Sequence, residues 1–284
     1  MTKKIAIILI CILFINWKPE KISAIQVTES EYFTDSIYSK HLGEYRKHNV
    51  YLPKDFKEDK KYPIIYATDG SDNIENSFIR NTLDSLIDSE IIKSVIYVAS
   101  HSNSKIADST SQKTGDGKKV YLQYRNFEYT SYLYSEGVHE AKLAKRFENH
   151  MKYFKNELIP SIENEYKQDL SKDDRYFYGV SNGAGFGMSL LNKHPNTIGT
   201  YLCLSTFGGF ISSYTWKKET DYPNLYLEYG SEEPSFLKKE ASFLKSKYKE
   251  LNLFAEINEY QGGHDYKKWQ GRFTDIISRI LATE

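Results

Sequence analysis

The stretch KYPIIYATDG, residues 61–70, holds Ile64, Ile65 and Tyr66 in a row with no charged residue among them. A strand with one face in water alternates apolar and polar side chains. An unbroken apolar run needs cover on both faces, as in the interior of a parallel sheet. The next segment, SFIRNTLDSLIDSEII, changes period: Phe78, Leu83, Leu86 and Ile87 recur at helical spacing and predict one buried helix face. KSVIYVAS then returns to strand character. Strand, helix, strand in that order predicts a mostly parallel sheet covered by helices.

The rest of the chain repeats the pattern. HLGEYRKHNVYLP alternates as an outer strand does and leads into the turn-rich KDFKEDK. Four more strand candidates, RYFYGV, IGTYLCLS, NLYLEYG and LFAEINEY, are separated by helical stretches such as GAGFGMSLLNKH and SFLKKEASFLKSKYKEL. The segment KLAKRFENHMKYFKNELIPSIENEY predicts a long helix interrupted or ended near Pro160. Ser100 to Val120 is polar and punctuated by glycine, and reads as a surface excursion or part of a binding rim. No repeat or linker divides the chain, so residues 25–284 are expected to form one α/β domain.

The first 24 residues, MTKKIAIILICILFINWKPEKISA, join a short basic head to an apolar run from Ile5 to Ile15. A membrane span needs about 20 apolar residues. The shorter run reads as an export signal that is removed, with an uncleaved anchor as the alternative; removal predicts a periplasmic or secreted protein with no stable membrane span. Cys11 follows the bulky Ile10, where lipid attachment wants a small residue. Cleavage near Ala24 leaves Cys203 as the only cysteine, expected to pack within the apolar GTYLCLSTF rather than react. Lysine and arginine together number 38, as do aspartate and glutamate, with no arginine-rich stripe. That balance lacks the electrostatic footprint of a nucleic-acid binder.

Chemistry concentrates in RYFYGVSNGAGFG. Gly179-Val180-Ser181-Asn182-Gly183 has the form G-x-S-x-G, with a strand before it and a helix after it. That context lets a serine project from a strained turn as a nucleophile. Its base is found in YQGGHDYKKW, where His264 sits on a turn after the last strand. Between them, just past Gly230, stand Glu232 and Glu233, either of which could orient the imidazole. Asp265 is disfavoured because His264 would have to fold back on its own turn. Serine, acid, then histidine is the chain order of the α/β-hydrolase fold.

Attack on an ester carbonyl places negative charge on its oxygen, which needs two converging N–H donors. Asn182 is one candidate, and Gly70 or Ser71, after the apolar strand, is the other, with Asp69 holding that loop through local bonds. His139, Glu140 and His150 lack the spacing of a zinc helix. SNGAGFG lacks the lysine of a phosphate loop, so neither a metal nor another cofactor is expected.

In this order the segments resemble the putative-esterase family of α/β-hydrolases, which holds esterase D-type S-formylglutathione hydrolases, feruloyl and acetylxylan esterases, siderophore esterases and antigen 85-type mycolyltransferases. LGEYRKHNVYLP looks like the family's opening strand pair, KYPIIYATDG like its oxyanion-loop strand and FKNELIPSIENEY like the helix before the nucleophile. YGSEEP resembles a glycine, two residues and then the acid, which favours Glu233 over Glu232. GGHDYKKW closely resembles the histidine segment, and YRNFEYT implies that Arg125 braces the rim or meets substrate. The resemblance departs at Asn182-Gly183-Ala184, where relatives carry methionine or leucine and paired glycines. It departs again at STFGGFISSYTW, where siderophore esterases often carry tryptophan. The reading is an exported serine esterase acting through a covalent acyl-enzyme on small-molecule or polysaccharide-linked esters. Its rivals are an acyltransferase of the same fold and a carbohydrate-binding protein using tyrosines and Trp216.

Overall fold

In the computed structural model the apolar runs become the centre of one sheet. The structure describes residues 27–71, 74, 77–113, 119–131, 143 and 145–283; the segment read as an export signal lies outside them. In chain order come β1 (Glu31–Ser39), β2 (Glu44–Leu52), β3 (Ile64–Ala67), α1 (Phe78–Asp88), β4 (Ile96–Ser100), β5 (Ile106–Lys113), β6 (Lys119–Gln123) and α2 (Tyr124–Tyr129). They are followed by α3 (Arg146–Tyr153), α4 (Ile159–Glu165), β7 (Arg175–Val180), α5 (Asn182–Lys193), β8 (Thr200–Leu204), β9 (Asn224–Gly230), α6 (Ser235–Glu250), β10 (Ala255–Tyr260) and α7 (Tyr266–Ile280).

Eight strands pair in the order β1-β2-β4-β3-β7-β8-β9-β10. From β4 to β10 every pairing is parallel, with Ile64 of β3 level with Ile96 on one side and Arg175 on the other. All side chains of β3, β4 and β8 are buried, as their unbroken apolar character requires. One face packs on α3, α4, α5 and α6. The other packs on α1 and α7. Residues 27–283 thus share one α/β core of the α/β-hydrolase type, and α1 buries Ile79, Leu83 and Leu86 with Phe78 and Ile87 at its margin.

One local reading changes and two gain detail in the structure. HLGEYRKHNVYLP is not the outermost strand: β2 is covered by β1, which pairs with it antiparallel from Glu31↔Leu52 to Ser39↔Glu44. β1 escapes detection because only Tyr32 and Ser39 along it are buried, so it carries no apolar period. The polar stretch after Ser100, expected to be a surface excursion or part of a binding rim, contains an antiparallel hairpin, β5 with β6. The long helix is interrupted near Pro160, as its sequence predicts. A π-helical segment, Phe154–Leu158, precedes it, and Pro160 falls in the first turn of α4, where a missing N–H costs least.

Two reactive side chains lie fully buried in the core. Cys203 is fully buried with Sγ 3.8 Å from Ala184 O, and burial pushes its thiol well above the ordinary range. His150 is fully buried against Phe186, Tyr129 and Tyr153, with ring centroids 4.8, 5.3 and 5.6 Å away. Burial, then the charges of Arg46 and Arg146, hold its imidazole well below its ordinary value of 6.5, against a smaller opposing effect from the Glu128 main chain. Below that value the unfolded chain binds a proton that the folded one refuses, so stability falls with pH. Urea unfolding between about pH 7 and 5 should show that decline, and His150→Phe should make it shallower.

Candidate active site

β7 ends at Val180 and α5 begins at Asn182, so the chain turns from strand to helix on one residue. That residue, Ser181, is held at φ 53° and ψ −125°, a strained conformation for any side chain but glycine. The flanking glycines show what holds it there. A Cβ on Gly179 would strike the Gly183 carbonyl, and one on Gly183 would overlap Thr68 Oγ1. Strand, helix and the loop after β3 therefore meet at backbone distance. The turn is fastened by the Ser181 N–H to Leu204 O at 2.9 Å and by the Phe207 N–H to Ser181 O at 3.1 Å.

Ser181 Oγ lies 2.9 Å from Nε2 of His264, which follows β10. On the far side of the imidazole, Nδ1 is 3.6 Å from Oε1 of the buried Glu233. Burial raises the Glu233 carboxyl, but His264, Ser205 and the Gly230 N–H outweigh it and leave it below its ordinary value. The carboxylate beside His264 is thus that of Glu233. Glu232 is exposed, and Asp265 caps α7 by accepting the N–H groups of Lys267 and Lys268 at 2.7 and 3.2 Å. Behind Glu233 stands a polar group that the sequence reading missed: Ser205, Tyr260 and Trp269. Its available signals were the serine ending IGTYLCLS and the tryptophan closing GGHDYKKW.

The loop after β3 reaches the same place. Asp69, at φ 59°, receives both arms of Arg125: Nε to Oδ1 at 2.6 Å and Nη2 to Oδ2 at 2.8 Å. Nη1 of Arg125 donates to Asn182 Oδ1 at 3.3 Å, and Asn182 Nδ2 donates to Phe207 O at 3.2 Å. Arg125 therefore clasps the residue after Ser181 to the loop opposite it. Gly70 is the exception among the expected donors: its N–H is committed to Ser100 O at 2.9 Å, which takes it out of an oxyanion role and leaves Ser71 next along the loop.

An open cleft of about 450 Å³ is walled by Phe207, whose N–H bonds Ser181 O, and by Phe210 and Phe236, with Lys239 and Glu240 at its margin. Phe207 and Phe236 meet edge to face at 5.4 Å, and Phe210 is 47 % exposed although held at φ 46°. Trp216, considered above as an exposed sugar contact, instead packs against Tyr222 and Tyr248 at the edge of the core. His150 is buried among aromatic rings, while His139 and Glu140 lie outside the described residues.

A strained serine at a strand-to-helix turn, with a histidine and a buried carboxylate in line behind it, is the arrangement of an α/β-hydrolase. Residues 39–280 match the protein family described as "Putative esterase", and the chain belongs to that family of carboxylic ester hydrolases. It is similar to "Uncharacterized protein YjcH" of Bacillus subtilis (strain 168), with 23% identity over 257 residues, covering 86% of this chain and 95% of that protein. Among solved structures it resembles a ferulic acid esterase, with a TM-score of 0.66 and 18% identity over 89% of this chain and 98% of the other. An IroE-like serine hydrolase from Shewanella oneidensis superposes with a TM-score of 0.63 and 22% identity, covering 88% of this chain and 80% of that one. At such identities these two structures establish the fold.

The geometry separates the two adjacent glutamates by experiment. Glu233→Gln should lower kcat for a soluble ester by about 10²–10⁴-fold, as loss of an orienting carboxylate does in serine triads. Glu232→Gln, an exposed change, should stay within about twofold of the parent.

Proposed function

We propose that the chain is an exported serine esterase in which Ser181, His264 and Glu233 form the triad. The observation that carries this reading is the 2.9 Å approach of His264 Nε2 to a serine held at φ 53°. Ser181 Oγ bonds to the ester carbonyl carbon as its proton passes to His264 Nε2. The ester C–O bond then breaks, and the leaving alkoxide takes that proton as alcohol. Water attacks the acyl-enzyme with His264 again as base, the carboxylic acid departs, and Ser181 regains its proton. Glu233 orients the imidazole and stabilises its charged form. The N–H groups of Asn182 and Ser71 receive the oxyanion, with Asn182 at the N-terminal end of α5, where free N–H groups and the helix dipole favour negative charge.

His264 is 40 % exposed, so water reaches the base directly; this supports hydrolysis over transfer to an alcohol acceptor. The phenylalanine-walled cleft favours esters with an aromatic or branched apolar group over simple acetyl esters, and such acyl groups on exported polysaccharide suit the basic and apolar leader.

Incubating the protein and its Ser181→Ala variant with a short aryl acetate and a feruloyl ester tests the serine mechanism. Turnover should fall by about 10³-fold or more in the variant, and labelling by a fluorophosphonate should disappear. Equal turnover in the two proteins would sink the reading. Phe210→Ala and Phe236→Ala should each reduce kcat/KM for the feruloyl ester by about 10-fold while leaving the acetate nearly unchanged, since a lost apolar contact costs about 1–3 kcal/mol.

A further inference from the structure

We propose that Ser205 is a positioning residue for the triad: its hydroxyl fixes the Glu233 carboxylate, and through it the His264 imidazole. The inference rests on the triad reading above and adds a second serine to it.

Ser205 follows β8, is fully buried and is held at φ 51°. Its N–H donates to Glu228 O at 2.7 Å, which anchors the main chain in that left-handed conformation. Three polar groups converge on Oγ. Trp269 Nε1 is 2.7 Å away, Tyr260 OH is 2.9 Å away, and Glu233 Oε1 is in direct hydrogen-bond contact. The indole N–H can only donate and the ionised carboxylate can only accept. The direction of the chain follows: Trp269 donates to Ser205, and Ser205 gives its own hydrogen to Glu233. Tyr260 OH has two acceptors in reach, Gly263 O at 3.0 Å, the carbonyl of the residue before His264, and Glu233 Oε1 at 3.3 Å.

The carboxylate is held almost wholly through one oxygen. Oε1 receives Ser205, a 3.3 Å contact from Tyr260 OH, a 3.5 Å contact from the Gly230 N–H and the approach of His264, while Oε2 has no hydrogen-bond partner among the described residues. With Ser205 removed, only the longer contacts from Tyr260 and Gly230 keep the carboxylate from rotating away from the imidazole. Trp269 closes the circuit from the other side, since its ring meets the His264 ring edge-on at 4.6 Å while its N–H reaches Ser205. One indole thus touches the base and orients the group that orients the acid.

The left-handed backbone supplies a clean test. Glycine relaxes at φ 51° and alanine does not, yet both remove the hydroxyl. Ser205→Gly and Ser205→Ala should therefore lose kcat together, by about 10- to 100-fold with KM unchanged, while the alanine variant is the less thermally stable of the two. Unchanged kcat in both variants would overturn the proposal, as would a loss confined to the less stable alanine variant or a rise in KM alone. Ser181→Ala is assayed alongside. If it proves as active as the parent, the triad reading falls and the role of Ser205 falls with it. If it is inactive while Ser205→Gly keeps full kcat, only the Ser205 proposal falls.

Discussion

Everything at the site depends on how closely backbone can pack around Ser181. Gly179, Gly183 and Gly185 each sit where a side chain would collide: the first with Gly183, the second with Thr68, the third with the Phe207 carbonyl. These approaches bring three separate chain segments to one point above the sheet: the loop after β3, the start of α5 and the loop after β8. A positive φ at Ser181 is the result, and Asp69, Ser205 and Phe210 share it. Strain of this kind persists only where surrounding structure over-determines it. Here the surroundings are two cores of buried side chains, one on each face of the sheet.

Around that point the charged groups divide their work. Arg125 binds Asp69 through both arms and touches Asn182, so loop and helix start move as one body. Farther from the site, fully buried Glu128 is held by Arg46 at 2.6 and 3.0 Å and by Arg146 at 2.6 and 2.9 Å. That cluster joins α2, which carries Arg125, to β2 and α3. Removing either arginine would leave a buried charge poorly matched, so the cluster constrains where α2 can sit.

Much of this was legible in the chain because the central strands are apolar on both faces and Ser181, Glu233 and His264 fall at strand ends. Ser181 is announced by its glycines, His264 by GGHDYKKW and Glu233 by the turn at Gly230. What escaped has a common physical cause. β1 is an edge strand with exposed residues on both faces and only two buried ones, so no period marks it. The hairpin of β5 and β6 is polar and reads as loop. Pro160 signals an interruption, but that it takes the form of a π-helical segment over Phe154–Leu158 shows only in the fold. The Gly70 N–H looks available until its bond to the neighbouring strand is seen. Ser205, Tyr260 and Trp269 come from three distant segments, and only folding shows that they meet.

The burial of Cys203 has one more consequence. Of the two cysteines in the chain it is the one within the described residues, with its thiol sealed against the carbonyl of Ala184. A thiol so buried and so reluctant to ionise offers oxidants and alkylating reagents nothing to attack. The described residues therefore cohere through packing, hydrogen bonds and ion pairs, with no disulfide among them to form or lose as the redox surroundings change.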